Sequence, residues 1–140
     1  MNVSEVMSRD VEFIEADATV QAAAELMGEI DVGALPVGGP ERVVGVVTDR
    51  DILYRVVARG LDPATTRVRD VLSRPVVACR DEDTVLAVMD MMAANHIRRM
   101  PVRGDDEHVV GWITLADLSR RLLVENAALQ DALREMTEAA

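Results

Sequence analysis

Gly45-Val46-Val47-Thr48-Asp49-Arg50-Asp51 recurs 66 residues later as Gly111-Trp112-Ile113-Thr114-Leu115-Ala116-Asp117. Both stretches read Gly-h-h-Thr-x-x-Asp, with h apolar. Each joins an apolar strand to a threonine suited to an N-cap and an aspartate suited to the first helical turn. Working outward, residues 3–53 and 68–119 align at an offset of 65, which becomes 66 after a hairpin insertion. Val6 matches Val71, Ser8 matches Ser73, Thr19-Val20 matches Thr84-Val85, Met27 matches Met92 and Pro36-Val37 matches Pro101-Val102. Two copies are too few for a solenoid, so a pseudo-symmetric pair sharing a core is expected.

Each copy predicts the same order of elements. Val11–Ile14 and Val76–Cys79 read as short strands. Thr19 and Thr84 follow as N-caps, and Val20, Ala23, Ala24 and Met27 then recur at helical spacing, as do Val85, Val88, Met89 and Met92. Ala34–Val37 and Met100–Val102 read as brief strands. Val43–Val47 and Val109–Ile113 read as strands buried on both faces, and second helices start near Asp49 and Leu115. The fold class expected is α/β of the α+β kind. Each repeat is strand-helix-strand-strand-helix with a three-stranded sheet, and the two repeats pack sheet to sheet. The boundaries expected are 1–66 for the first repeat, 67–120 for the second and 121–140 for a C-terminal helix. In that helix Leu115, Leu122, Leu129 and Met136 recur every seventh residue, interrupted at Glu125, so it packs on its own domain or serves as an arm for a partner.

Composition narrows the function. The chain has 140 residues, 49% hydrophobic and 29% charged, with a formal charge of −10. Such a surface argues against nucleic-acid or anionic-membrane binding and leaves a local basic pocket as the place for any phosphate. No apolar run is long enough to span a bilayer, and no secretory leader is expected at the start. One cysteine, Cys79, fits a cytoplasmic setting, and two histidines with one cysteine make a metal site improbable. Cys79 reads as a buried, inert thiol and His96 as an exposed helix end. Asp81-Glu82-Asp83 and Asp105-Asp106-Glu107 read as solvated loops.

The strand-to-helix junction carries the chemistry. A threonine there is in most proteins only a cap. The same helix end also suits an anion, with the hydroxyl as an added donor. An aspartate three residues on accepts from both hydroxyls of a vicinal diol. Thr48 with Asp51, and Thr114 with Asp117, are thus nucleotide-shaped pairs.

With these junctions, the Leu35-Pro36-Val37 and Met100-Pro101-Val102 strands and the Asp-x-Thr-Val helix starts, residues 1–120 resemble a tandem CBS-domain protein, or Bateman module. Thr48–Asp51 through Gly60-Leu61-Asp62-Pro63 is also similar to stand-alone bacterial CBS proteins of the hypoxic-response type. The resemblance implies a non-catalytic sensor with two clefts, each built from both repeats. It requires no cofactor and places AMP first among its ligands, with ADP, ATP, NAD and S-adenosylmethionine as the other candidates. Carried over, cleft one joins Val46, Thr48, Arg50 and Asp51 to Thr84, Ile97, Arg98 and Arg99. Cleft two joins Trp112, Thr114, Ala116 and Asp117 to Thr19, Val32, Gly33 and Ala34.

Cleft one then gathers up to three arginines, whereas cleft two has Ala116, Gly33 and Ala34 at the matching positions. A phosphorylated adenosine ligand is expected in cleft one, and a weak, uncharged or absent ligand in cleft two. The competing reading is a structural dimeric interaction protein with vestigial clefts. An enzyme is disfavoured, because no base faces a nucleophile and no Walker loop is present. A homodimer through Ala22, Ala23, Met27, Met89, Met91 and Met92 is expected, together with a regulated protein partner that the sequence does not name.

Overall fold

In the computed structural model, which describes residues 1–138, both threonine caps produce the expected helices. Helix α1 spans Val20–Ile30, with Thr19 Oγ1 accepting from the Ala22 amide, and α3 spans Val85–Asn95, with Thr84 Oγ1 accepting from the Ala87 amide. Both end on a residue in the left-handed region, Asp31 at φ +56° and His96 at φ +54°. Val20, Ala23 and Met27 on one helix, and Val85, Val88 and Met92 on the other, face their own cores. Ala23, Met27 and Met92 are therefore spent on internal packing and do not form the dimer face expected of them, because the stripe that makes a helix amphipathic is the stripe that its own sheet buries.

After each helix comes a hairpin. β1 (Ala34–Gly39) pairs antiparallel with β2 (Arg42–Thr48), and β4 (Arg99–Arg103) pairs antiparallel with β5 (Val109–Thr114). Both hairpins carry the same register irregularity, at Val37/Gly38 and at Val102/Arg103, so the inserted residue lies in the turn of the second, between Arg103 and Val109. Gly38 sits at φ +121°, where an added Cβ would lie 2.2 Å from the Arg42 carbonyl oxygen, so only glycine fits. β2 and β5 alternate instead of being buried on both faces: Gly45 and Val47 are buried, as are Gly111 and Ile113, while Val46 and Trp112 are half exposed.

The leading strands are shorter than expected. β3 is Cys79–Arg80, parallel to Val102–Arg103, and in the first repeat a single parallel bridge joins Ile14 to Val37. The first sheet thus has two strands (β1–β2) and the second three (β3–β4–β5). Val76, Val77 and Ala78 make no ladder pair, and the parallel register begins at Cys79 opposite Val102. The strand expected at Val76–Cys79 thus starts three residues later and extends one residue further, to Arg80.

The copies are joined by a reciprocal exchange. A 3₁₀ turn at Val3–Glu5 precedes repeat one yet packs in the core of repeat two, where Val3 and Met7 sit among Val88, Met92, Met100 and Ile113. A matching turn at Val68–Asp70 precedes repeat two yet packs in the core of repeat one, with Val68, Val71 and Leu72 among Val20, Leu35, Val47 and Val56. Ser8 and Trp112 exchange both backbone hydrogen bonds at 2.9 Å, as do Ser73 and Val46 at 2.8 and 3.0 Å. The buried side chains thus form two clusters, each completed by the other copy's leading segment, instead of one shared core. The glycines that begin both junction motifs accommodate the exchange. A Cβ on Gly45 would lie 2.6 Å from Leu72 Cδ1 and 2.9 Å from the Ser73 carbonyl, and one on Gly111 would lie 2.4 Å from Met7 Sδ.

Second helices start where expected. α2 (Asp49–Ile52) runs into a π-helical turn at Leu53–Val57, and α4 spans Leu115–Glu125. Helical residues do not continue unbroken to the end: Asn126 adopts extended angles, and α5 (Ala127–Glu138) folds back so that the Gln130 side chain donates to the Leu123 carbonyl. The seven-residue recurrence is not a buried seam, since Met136 is 71% exposed and Leu115 is itself partly exposed. The side chain of Leu129, and residues 139–140, lie outside the described residues. No helix among the described residues is long and apolar enough to cross a membrane.

Candidate functional site

The two junctions end at two cavities. Thr48 caps α2 by accepting from the Asp51 amide at 3.0 Å, while Asp51 Oδ2 accepts from the Thr48 amide at 3.0 Å. Thr114 and Asp117 repeat this box at 3.1 and 3.2 Å. In each box the threonine hydroxyl accepts from the backbone and keeps its own proton for a ligand.

Cavity one encloses about 500 Å³, a size suited to a small-molecule ligand. It is lined by Val46, Thr48 and Arg50 from the first repeat and by Ile97, Arg98 and Arg99 from the second, so six of the eight residues expected in cleft one come together. Asp49 adds one carboxylate. Three guanidinium groups therefore face one carboxylate in a chain of net charge −10. Arg50 lies over the Tyr54 ring at 5.3 Å. Among the described residues, none of these three arginines has a carboxylate within 4.0 Å. Their charge is available to an anion.

Thr84 and Asp51 do not line the cavity. Thr84 is spent as the cap of α3, whose other end, at His96, borders the cavity; the helix length of roughly 16 Å separates them. Asp51 is buried at 7% exposure behind the wall. Its second oxygen accepts from the Ser73 hydroxyl at 2.8 Å, and Arg55 Nε stands 3.9 Å away while its Nη1 donates to the Val71 and Leu72 carbonyls at 3.0 Å. Asp51 thus ties the junction to the exchanged segment. Asp51→Ala is expected to cost about 1–3 kcal/mol in folding free energy, because the buried carboxylate that closes the capping box and accepts from the part-buried Ser73 hydroxyl is lost. A denaturant midpoint equal to that of the parent protein would contradict this.

Cavity two encloses about 690 Å³ and is lined by Val32, Gly33, Ala34, Trp112, Thr114, Ala116 and Asp117, seven of the eight residues expected in cleft two. Thr19 is missing for the same reason as Thr84: it caps the far end of α1. The cavity is not the neutral site expected. Arg98 and Arg99 border it too, and so does Arg120, paired with Asp117 at 2.5 Å, against the carboxylates of Asp10, Asp31 and Asp117. Matching the copies position by position compares Ala116 with Arg50 and overlooks Arg120, one turn further along the same helix face.

Sequence reasoning also missed Ser73, Pro75, Val76 and Val77 in cavity one and Ser8, Asp10 and Asp31 in cavity two. Val76 and Val77 fall in the segment whose pattern reads as strand, and the offset of 65 links Ser8 with Ser73 and Asp31 with His96, so the repeat itself held the signal. His96 is the exposed helix end expected and also borders cavity one. Cys79 is buried, and burial with the nearby Asp83 pushes its thiol up to about 12, so it stays protonated and unreactive near neutral pH. No group of three or more His, Cys, Asp or Glu side chains stands ready to hold a metal among the described residues.

Comparison with known proteins agrees with the duplication. The family model for the CBS domain matches twice, at residues 3–58 and 68–124. The chain is 33% identical to hypoxic response protein 1 of Mycobacterium tuberculosis over 127 residues, 90% of this chain and 87% of that one. It is 35% identical to CBS domain-containing protein YhcV of Bacillus subtilis over 118 residues, 84% and 83% of the two chains. Among solved structures, the CBS domain pair of protein MJ0100, in complex with 5'-methylthioadenosine and S-adenosyl-L-methionine, superposes with a TM-score of 0.80 at 22% identity. That match covers 90% of this chain and 98% of the other.

Proposed function

Since the chain belongs to the CBS-domain family and carries the domain twice, we propose that it is a non-catalytic sensor of adenosine nucleotides, with cavity one as the working site. The observation that carries this reading is the concentration of Arg50, Arg98 and Arg99 around one cavity of an otherwise acidic protein. In this reading the three guanidinium groups and the Thr48 hydroxyl hold phosphate. Val46, Val76, Val77 and Ile97 give the adenine an apolar wall. Asp51 positions Thr48 and Ser73 from behind. The ligands of the MJ0100 domain pair share the adenosine part of such a nucleotide and lack its phosphate.

AMP is the ligand proposed first. The lining sets cations and apolar groups around the ligand, an arrangement suited to holding a nucleotide. Binding would regulate a partner only in so far as the nucleotide favours one of two conformations. A cytoplasmic homodimer is the proposed form; Leu53, Tyr54 and Val57 in the π-helical turn are more than half exposed and offer an apolar face to a second copy. Calorimetric titration with AMP and with adenosine tests the site: micromolar binding of AMP and at least tenfold weaker binding of adenosine are expected.

A further inference from the structure

Arg98 and Arg99 border both cavities. They stand just before and at the start of β4, where the two cavity walls meet. A Cβ placed on Gly33, in the wall of cavity two, would lie 3.1 Å from Arg99 Nη1 and 3.0 Å from Oδ2 of Asp49, in the wall of cavity one. The first repeat has Gly33 and Ala34 at the matching positions and supplies no second pair of cations. We propose that this one pair of guanidinium groups serves both cavities in turn, so that a phosphorylated ligand in one lowers the affinity of the other for a second.

The inference rests on the reading of cavity one as a nucleotide site and adds its regulation. When Arg98 and Arg99 turn to a phosphate in cavity one, cavity two keeps only Arg120, already paired with Asp117, against Asp10 and Asp31. An anion then meets net negative charge. When cavity one is empty, the same two cations bring cavity two close to charge balance. Arg50 lines cavity one alone and biases the pair towards filling there first. By linkage the antagonism is reciprocal.

Trp112 is the sole tryptophan and lines cavity two, so its fluorescence reads that cavity. With AMP as the probe, calorimetry is expected to show one strong equivalent per chain, with the Trp112 response centred at an AMP concentration at least tenfold higher. Arg50→Ala weakens cavity one without touching cavity two. It is expected to move the Trp112 midpoint at least threefold lower, and Arg50→Gln should act in the same direction. A Trp112 midpoint that coincides with the calorimetric one in the parent protein, or a Trp112 response that is unchanged or absent in Arg50→Ala, overturns the sharing and leaves the nucleotide reading standing. No heat with AMP in the parent protein overturns both.

Discussion

Arg98→Glu/Arg99→Glu is expected to remove AMP binding from the measurable range while leaving the fold intact. Charge-assisted hydrogen bonds contribute about 1.5–3 kcal/mol each. Losing two therefore lowers affinity by about a hundredfold to ten-thousandfold, before the repulsion from two new carboxylates is added. The fold tolerates the change because neither side chain is buried and neither makes an ion pair among the described residues. The backbone contact at this point, from the Leu115 amide to the Arg98 carbonyl at 2.7 Å, does not depend on the side chain. A double variant that melts like its parent yet binds AMP within threefold of it would remove the arginines from the site.

Gly45→Val acts on the fold instead. The new Cβ would fall 2.9 Å from the Ser73 carbonyl, whose oxygen already accepts from the Val46 amide at 3.0 Å. Leu72 can rotate away, but the backbone cannot move without breaking both bonds that dock the exchanged segment. Overpacking with the loss of those bonds is expected to cost about 2–4 kcal/mol, a fall in melting temperature of roughly 10 °C. Gly111→Val should cost a similar amount, because its Cβ would fall 3.0 Å from the Ser8 carbonyl oxygen, which accepts from the Trp112 amide at 2.9 Å. Equal melting of Gly45→Val and the parent protein would show that the exchange is not tightly packed at this point.

How far the sequence reaches depends on whether a feature is local. Helix starts at Thr19, Thr48, Thr84 and Thr114 depend on a side chain and an amide three residues away, and the pattern alone predicts them. The duplication is equally visible, and with it the pairing of the two hairpins. The exchange of Val3–Met7 with Val68–Leu72 depends on which core each segment enters, and a sequence repeat is silent about partners.

The same limit shaped the site. Arg50, Arg98 and Arg99 line one cavity, and each stands in a motif short enough for the family resemblance to imply its place. Thr19 and Thr84 were carried over with the clefts, although an 11-residue helix separates each from the end that reaches a cavity. Asp51 stands in the right motif but points into the protein, since its partners Ser73 and Arg55 come from outside the motif. Arg98 and Arg99 bordering both cavities is a property of the assembled walls, which no alignment of the two copies contains.

The proposed nucleotide site depends on recognition of the phosphate in cavity one. The most direct measurement is a calorimetric titration of the parent protein with AMP, paired with adenosine under the same conditions. Micromolar binding of AMP and at least tenfold weaker binding of adenosine are expected, since the guanidinium groups lose their partner when the phosphate is absent. Equal affinities for the two, or no heat from AMP, would contradict that recognition.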